Sequence, residues 1–238
     1  SATTVMVVGF VNSGIMKLQQ AVGIIMGANI GTTITAWILG ITGIDSSSFF
    51  VQMCKPTSFS PILAIVAVGI LMFSKKDKPK SVATVMLGFA VLMFGMQAMS
   101  SSVAPLQESE AFLHMLTTFS NPILGILVGL IFTCVLQSAS AAVGILQALA
   151  VTGAITFEIA LPIVMGIAVG AAVPVLLSAL GANLHGKRTA FIYLLIDVLG
   201  VVIWAMVFYG LNAALHFPFL TDTMTAVSIA LMNTLFRL

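Results

Sequence analysis

Two short polar strings interrupt long apolar stretches of this chain, and their side chains could bind small ions. The string at 137–140, Gln-Ser-Ala-Ser, offers one amide and two hydroxyl groups. The string at 27–33, Gly-Ala-Asn-Ile-Gly-Thr-Thr, offers a second amide and two more hydroxyls. Such donors can join the N–H groups of a helix N-terminus, which carries about half a positive charge, to hold an anion. Carbonyls that are freed where a membrane helix breaks can coordinate sodium.

Helix packing is the simpler explanation for any one of these residues, because small residues and hydroxyls commonly join membrane helices. The two strings taken together favour a binding site. The candidate site residues in these strings are Asn29, Thr32, Thr33, Gln137, Ser138 and Ser140.

Other chemistry finds little support in the sequence. Two cysteines and three histidines are scattered along the chain, so neither a disulfide framework nor a zinc site is predicted. No Ser/His/Asp grouping and no Gly-rich nucleotide loop stands out, and we expect neither enzyme activity nor an organic cofactor. The basic residues form no stripe that would suit nucleic acid.

The elements that must position the two strings are membrane helices. Hydrophobic residues make up 60% of the chain, charged residues make up 7%, and the mean hydropathy is +1.17. A soluble domain carries about 25% charged residues, because water must solvate its surface. The composition therefore predicts an all-α polytopic membrane protein that is surrounded mostly by lipid.

Stretches without charge mark the predicted spans, since about 20 apolar residues cross a hydrocarbon core of about 30 Å. The last span contains one acid, Asp197. The start (1–16) and the finish (223–238) are interpreted as pieces of truncated elements. The predicted spans are residues 21–44, 59–74 (apolar but short), 82–104, 159–184 and 189–216.

The stretch 121–152 is predicted to be a re-entrant hairpin. It holds 32 uncharged residues, too many for one span of about 20 and too few for two spans with a turn. Its centre falls on the polar string 137–140, which would then lie near the middle of the membrane. Irregular backbone at that depth is tolerated only where protein or a water-filled cavity surrounds it. The location therefore predicts a site.

A shift of 139 residues aligns the start of the chain with its second half without gaps. It places Gly14 on Gly153, Met26-Gly27 on Met165-Gly166, and Gly31 on Gly170. By this register Ser1 ends a polar tip like the one at 137–140, and residues 1–16 form the second arm of a first hairpin. The predicted organisation is a first repeat at 1–104, an extracytoplasmic connector at 105–120 and a second repeat at 121–238.

The basic residues predict that the two repeats have opposite orientations. If the loop Lys75–Lys80 is cytoplasmic, the inner side holds seven basic residues and one acid, and the outer side holds one basic residue and five acids. The first hairpin then opens inside and the second opens outside. Inverted-topology repeats with broken helices that meet at the midplane are typical of secondary transporters.

Asp197 is a candidate cation ligand. It lies nine residues beyond Arg188, about 13 Å deep in a helix, where a charged Asp costs about 2.5–3.5 kcal/mol. The alternative is a protonated or hydrogen-bonded Asp that joins two helices. No Lys or Arg is predicted near it or near the midplane. An anion site would therefore use neutral donors and the charge of a bound cation, which is a physical reason to expect sodium coupling.

Three strings resemble the type II sodium–phosphate cotransporter family, especially its bacterial members: Ser-Ala-Thr-Thr at 1–4, the string at 27–33, and Gln-Ser-Ala-Ser-Ala-Ala-Val-Gly-Ile at 137–145. The resemblance covers 1–44 and 121–216 well and the middle loosely. It implies two inverted repeats, each with a Gln-Ser-Ser-Ser tip that contributes to phosphate and sodium binding, in a multi-pass protein of a bacterial cell membrane. By resemblance, Ser1 ends the first tip with Thr3 and Thr4 after it, and Gln137, Ser138 and Ser140 form the second.

Two departures from the family pattern bear on ion binding. Ala139 replaces a serine of the tip, and Gly-Ile-Ala-Val-Gly-Ala at 166–171 stands where the family often has a second Asn-containing string. The number of coupled ions is therefore left open.

The combined interpretation is sodium-coupled phosphate transport by alternating access. One alternative is export of phosphate or another oxyanion on the same scaffold. Another is a non-transporting membrane sensor or assembly partner, for which the changed string at 166–171 is the main support. Sequence encodes neither the direction of transport nor the ion stoichiometry nor the oligomeric state.

Overall fold

The computed structural model describes residues 2–40, 56–103 and 121–237. Ser1, residues 41–55, residues 104–120 with the connector predicted at 105–120, and Leu238 lie outside the described residues. The regular elements within the described ranges are helical, which confirms the predicted all-α class for this part of the chain. In chain order they are α1 (Ala2–Asn12), α2 (Leu18–Gly40), α3 (Pro56–Phe73), α4 (Asp77–Val103), α5 (Pro122–Leu136), α6 (Ala139–Val151), α7 (Phe157–Gly170), α8 (Val173–Ser178), α9 (Leu184–Leu215), a 3₁₀ turn (Pro218–Thr221) and α10 (Ala226–Leu235).

Three helices in the described ranges are long and apolar enough to cross a membrane: Leu18–Gly40, Phe157–Ser178 and Leu184–Leu215. They overlap the predicted spans 21–44, 159–184 and 189–216. The other two predicted spans, 59–74 and 82–104, correspond to α3 and α4, which pack against each other.

The stretch 121–152 is broken in the middle, as its polar string predicted. Asn121 caps α5, since its Oδ1 accepts a hydrogen bond from the N–H of Ile123 at 3.0 Å and Pro122 follows at the first helical position. The helix ends at Gln137, which adopts the left-handed conformation with φ 57°. Ser138 is extended and begins α6. Two helices therefore meet at the predicted position.

Helix α7 forms the centre of the packing. Within Phe157–Ser178, 78% of an apolar 18-residue stretch is buried. The corresponding share for α9 is 17%. Helix α5 lies against α7 with the two backbones in direct contact. A Cβ atom on Gly129 of α5 would collide with the carbonyl of Ile163, and a Cβ on Gly166 of α7 would collide with the carbonyl of Ile126. Glycine is required at both positions because no side chain fits between the helices.

The string at 166–171 takes part in this contact. Gly166 faces the α5 backbone, and a Cβ on Gly170 would lie 2.6 Å from the Cβ of Thr133. Helix packing therefore accounts for the two glycines that this string keeps.

The shift of 139 residues is repeated in the geometry of the chain. Helix α1 ends at Asn12 and α6 at Val151, and α2 begins at Leu18 and α7 at Phe157, so both pairs differ by 139. Between them, Gly14 and Gly153 have the same φ of 77°. Their N–H groups donate to the carbonyls of Val11 (3.2 Å) and Ala150 (2.9 Å), which again differ by 139. The same helix–turn–helix unit thus occurs twice.

The two units differ in what covers their second helix. Gly27 and Gly31 of α2 correspond by the same shift to Gly166 and Gly170. A Cβ on either of the two α2 glycines would meet nothing within 4 Å among the described residues. No described residue therefore packs on the glycine face of α2, whereas α5 packs on the equivalent face of α7.

The remaining contacts of α2 position the polar residues. Helix α2 packs against α10, α1, α6 and α9, and α4 packs against α6. Helix α10 therefore lies against α2, and the start of α6 lies close to both α2 and α4.

Candidate functional site

A cavity of about 430 Å³ lies where the start of α6 faces α2 and α4. Two of the predicted site residues, Ser138 and Ser140, line it. Thr35 of α2 adds a third hydroxyl. The rest of the wall is apolar, with Leu39 of α2 and Val91 of α4 among its residues, and no charged side chain of the described residues lines the cavity.

The start of α6 supplies the polar groups of this cavity. The Oγ atom of Ser138 accepts a hydrogen bond from the N–H of Ala141 at 3.3 Å, which caps the helix. The N–H groups of Ala139 and Ser140 have no carbonyl one turn earlier within the helix, because they lie in its first turn. The N–H groups of a helix start, together with hydroxyls in an apolar wall, are suited to bind an anion.

Gln137 does not line the cavity. Its side chain is exposed, and its Nε2 donates to the carbonyl of Cys134 at 3.0 Å. Its backbone N–H donates to the carbonyl of Thr133 at 2.8 Å, which closes the last turn of α5. The structure therefore assigns Gln137 to the break between the two helices.

A second polar centre lies between α2, α9 and α10. Asn29 is its hub: its Nδ2 donates to Oδ1 of Asp197 at 2.7 Å, and its Oδ1 accepts from the hydroxyl of Tyr193 at 3.0 Å. Nη1 of Arg237 also donates to Oδ1 of Asn29 at 3.2 Å, and Nε of Arg237 donates to Oδ1 of Asn233 at 3.2 Å. All five side chains are buried. An acid and a base thus lie on opposite sides of one amide.

Four buried side-chain atoms have no hydrogen-bond partner among the described residues: Oδ2 of Asp197, Nη2 of Arg237, Oγ1 of Thr4 and Oε1 of Gln147. Each such atom costs about 1–3 kcal/mol, and more when it is charged. Buried polar groups without partners are uncommon in folded proteins and often mark a site where an ion or a water binds.

The other predicted residues of α1 and α2 have different environments. Thr32 is half-buried and its hydroxyl donates to the carbonyl of Ala28 at 2.9 Å. Thr33 is buried and its hydroxyl donates to the carbonyl of Ile30 at 2.7 Å. Thr3 is exposed, whereas Thr4 is buried. The hydroxyl oxygens of Thr32 and Thr33 keep acceptor capacity but are satisfied as donors.

The predicted residues therefore fall into two places rather than one. Ser138 and Ser140 lie at the cavity with Thr35, and Asn29 lies in the buried centre with Asp197. Helix α2 contributes to both places, through Thr35 at the cavity and Asn29 in the buried centre. The six-residue separation of Asn29 and Thr35 corresponds to about 9 Å along the helix.

The expectation that Asp197 has no base near it is wrong. Arg237 is buried in the same centre and is joined to Asp197 through Asn29. It was missed because residues 223–238 read as part of a truncated element, whereas α10 packs against α2. Asp197 also bonds to another helix, as its packing interpretation predicted.

Sequence reasoning also missed Thr35, Tyr193 and Gln147. Gln147 is fully buried in α6, and its Nε2 donates to the carbonyls of Ala36 and Ala226, each at 2.8 Å. The signal for Gln147 was present, since a single amide inside an apolar helix needs a partner. Thr35 and Tyr193 carried no comparable signal.

A comparison with protein families decides the family of this chain. The model of the family described as Na+/Pi-cotransporter matches residues 1–101 and again residues 92–229. The chain belongs to the Na+/Pi-cotransporter family. Its resemblance to the sodium–phosphate cotransporters is thereby confirmed, and the three apolar helices agree with a membrane protein. Among the described residues, no group of three or more His, Cys, Asp or Glu could hold a metal ion.

Two bacterial relatives illustrate this membership. The uncharacterized protein YqeW of Bacillus subtilis is 25% identical over 240 residues, which cover 100% of this chain and 72% of that protein. YjbB of Escherichia coli K12, whose provisional name is inorganic phosphate export protein, is 26% identical over 204 residues, 85% of this chain. The match spans only 35% of the length of YjbB. No solved structure matches the chain.

Proposed function

We propose that this protein transports phosphate across the cell membrane in a sodium-coupled, alternating-access cycle. The observation that carries the proposal is the cavity at the start of α6, where two hydroxyls of the predicted tip and a third from α2 face an uncharged wall. Its volume, about 430 Å³, lies in the range of about 300–1,000 Å³ that is usual for small-molecule sites. Membership of the Na+/Pi-cotransporter family supports phosphate as the substrate.

Phosphate would bind to neutral donors in this cavity. The hydroxyls of Ser140 and Thr35 and the N–H groups of Ala139 and Ser140 are the proposed ligands, with Ser138 ordering the turn. Gln137 would contribute from the break if its side chain rotated away from Cys134. Ser1 and Thr3 of the first tip are proposed to complete the site from the other repeat.

Sodium would bind at the second centre. Asn29 offers its Oδ1. Oδ2 of Asp197 and the buried Oγ1 of Thr4 are two further oxygens, and neither has a hydrogen-bond partner among the residues that the structure describes. Thr32 and Thr33 are proposed as additional oxygen ligands from the same helix. Hard cations prefer oxygen donors of this kind.

Alternating access is proposed on the basis of the two equivalent units. The repeated helix–turn–helix geometry and the two successive matches of one family model support a duplicated scaffold. With the basic residues on the inner side, the two units are proposed to have inverted topology, each with a re-entrant hairpin.

Uptake of radiolabelled phosphate into proteoliposomes tests the proposal. A sodium gradient should drive accumulation, and potassium in its place should not. Ser140→Ala should raise the phosphate concentration for half-maximal uptake, whereas Ser81→Ala, on an exposed site at the start of α4, should leave it unchanged. Equal uptake with and without sodium would reject coupling, and an unaltered Ser140→Ala variant would reject the assignment of the cavity.

Export is a second candidate for the direction of net transport. The name of the relative YjbB refers to inorganic phosphate export, which favours this direction. Inverted and right-side-out vesicles from cells that express the protein distinguish the two directions under a physiological sodium gradient. Net loss of phosphate from the cytoplasmic side would establish export.

A further inference from the structure

Arg237 occupies the place at which a bound cation would be needed. Asp197 and Arg237 are 6% and 9% exposed, and Asn29 between them is 5% exposed, so water screens the two charges poorly. No hydrogen bond within the described residues joins Arg237 directly to Asp197; Asn29 connects them, with its Nδ2 on the acid and its Oδ1 on the guanidinium. The arrangement keeps a buried acid near a positive charge without direct pairing.

The oxygen of Asn29 is fully used in this arrangement. An amide oxygen accepts about two hydrogen bonds, and the donors here are Nη1 of Arg237 and the hydroxyl of Tyr193. A cation can coordinate this oxygen only when one of the donors leaves. Arg237 is the donor that a cation would repel, whereas the neutral hydroxyl of Tyr193 would not be repelled in this way.

The two charged groups are also incompletely satisfied. Within the described part of the chain, Oδ2 of Asp197 and Nη2 of Arg237 have no hydrogen-bond partner, and both atoms are shielded from solvent. A cation at Oδ2 would satisfy the acid, and movement of the guanidinium would let Nη2 find an acceptor elsewhere. Replacement of the guanidinium by a cation would therefore give partners to both atoms.

We propose that Arg237 is a tethered cation that neutralises the Asn29–Asp197 centre in the sodium-free protein and competes with sodium for it. This inference rests on the proposed function only in taking sodium as the cation. Arg237 is a positioning residue in this scheme: it sets the sodium concentration at which the centre is filled, and it does not touch phosphate.

Displacement of Arg237 would be transmitted through α10. This helix is held to α2 by the bond from Nε1 of Trp37 to Oγ1 of Thr234 at 3.0 Å. It is held to α6 by the bond from Gln147 to the carbonyl of Ala226. Release of the guanidinium from Asn29 removes one of two bonds near the C-terminal end of α10; the bond from Trp37 to Thr234 and the one at the start of the helix remain. Sodium binding would therefore loosen one end of α10 while α6, which begins at the cavity, stays attached to the other.

Binding of radiolabelled sodium to the purified protein tests the inference, with choline replacing sodium at constant ionic strength. Arg237→Gln should bind sodium about tenfold more tightly than the wild type, because the competing charge is gone. Arg237→Lys, which keeps the charge, should stay close to the wild type. Arg188→Gln, on an exposed site in the first turns of α9, is the matched control for loss of a positive charge.

A second variant covers the case in which Arg237→Gln does not fold. Asn233→Leu removes the oxygen that accepts from Nε of Arg237 and keeps the charge. It should tighten sodium binding in the same direction but less strongly, because the guanidinium is held less firmly. Sodium affinity that is unchanged or weaker in the variants that fold would overturn the inference.

The same measurement separates this inference from the proposed function. If phosphate uptake by the wild type is independent of sodium but Arg237→Gln binds sodium more tightly, the inference stands and the coupling fails. If uptake is sodium-dependent and the affinity is insensitive to Arg237→Gln, the coupling stands and the inference fails. If neither protein binds sodium, the inference is overturned.

Discussion

Gln147 on α6 donates a hydrogen bond to the carbonyl of Ala36 on α2 at 2.8 Å, across 111 residues of chain. The same nitrogen donates to the carbonyl of Ala226 on α10, also at 2.8 Å. One buried amide therefore joins three helices: α6, which begins at the cavity, α2, which carries Asn29, and α10, which leads to Arg237. The spacing between the two polar centres depends on this junction.

Replacing Gln147 should destabilise the protein. Gln147→Leu keeps much of the volume but removes both donors, and we expect a loss of about 1–3 kcal/mol in the free energy of unfolding. Thermal unfolding in detergent measures the change. Gln19→Leu, on an exposed site of α2, is the control for the added apolar surface. A melting temperature for Gln147→Leu equal to that of the control would contradict the role of the junction.

Equivalent glycines of the two units should respond differently to alanine. Gly166→Ala places a methyl group against the carbonyl of Ile126, and the forced separation of α5 and α7 should cost about 1–3 kcal/mol. Gly27→Ala meets nothing within 4 Å among the described residues and should gain up to about 1 kcal/mol from helix propensity. Thermal unfolding of the two variants tests this pair. Equal losses at both positions would show that the open face of α2 is covered.

The two serines at the start of α6 should separate stability from binding. Ser138→Ala removes the cap and should cost about 1 kcal/mol of stability together with transport activity. Ser140→Ala removes no capping bond, and we expect weaker phosphate binding with an unchanged melting temperature. Thermal unfolding and phosphate uptake, measured on the same preparations, check both variants. A lower melting temperature for Ser140→Ala would assign that hydroxyl to the fold instead.

Asp197 and Arg237 should be energetically coupled through Asn29. Asp197→Asn leaves the guanidinium as a buried charge without an acid nearby, so the single variant should be less stable than the wild type. The double variant with Arg237→Gln should recover part of the loss, with a coupling energy of about 0.5–3 kcal/mol. A double-mutant cycle by chemical or thermal unfolding provides the measurement. Asp77→Asn, on an exposed site, is the control for loss of an acid, and strict additivity would show that the two groups do not interact.

Local features of the fold could be predicted from the sequence. The polar string at 137–140 lies in a long apolar stretch, and it located the break between α5 and α6. Polar side chains in the middle of a continuous apolar helix need a structural or functional reason to be there. The shift of 139 residues, found by aligned glycines, reappears as the equal φ of Gly14 and Gly153. These properties depend on the chain within a few residues of each position.

The long-range contacts could not be predicted in the same way. Arg237 reaches Asn29 across 208 residues, and nothing in the local pattern of α10 indicates which helix it packs against. The close approach of Gly129 to Ile163 likewise depends on how α5 and α7 cross. Charge counting placed Asp197 in an apolar span but had no means to assign the base beside it.

Helices α7 and α9 are almost equally apolar but have opposite environments. The mean hydropathy is 2.4 for Phe157–Ser178 and 2.5 for Leu184–Leu215. The described residues nevertheless enclose most of the first segment and little of the second. Acyl chains would touch α9 and hardly reach α7. A thicker or thinner bilayer should therefore act on α9 first, and on α7 only through the helices that surround it.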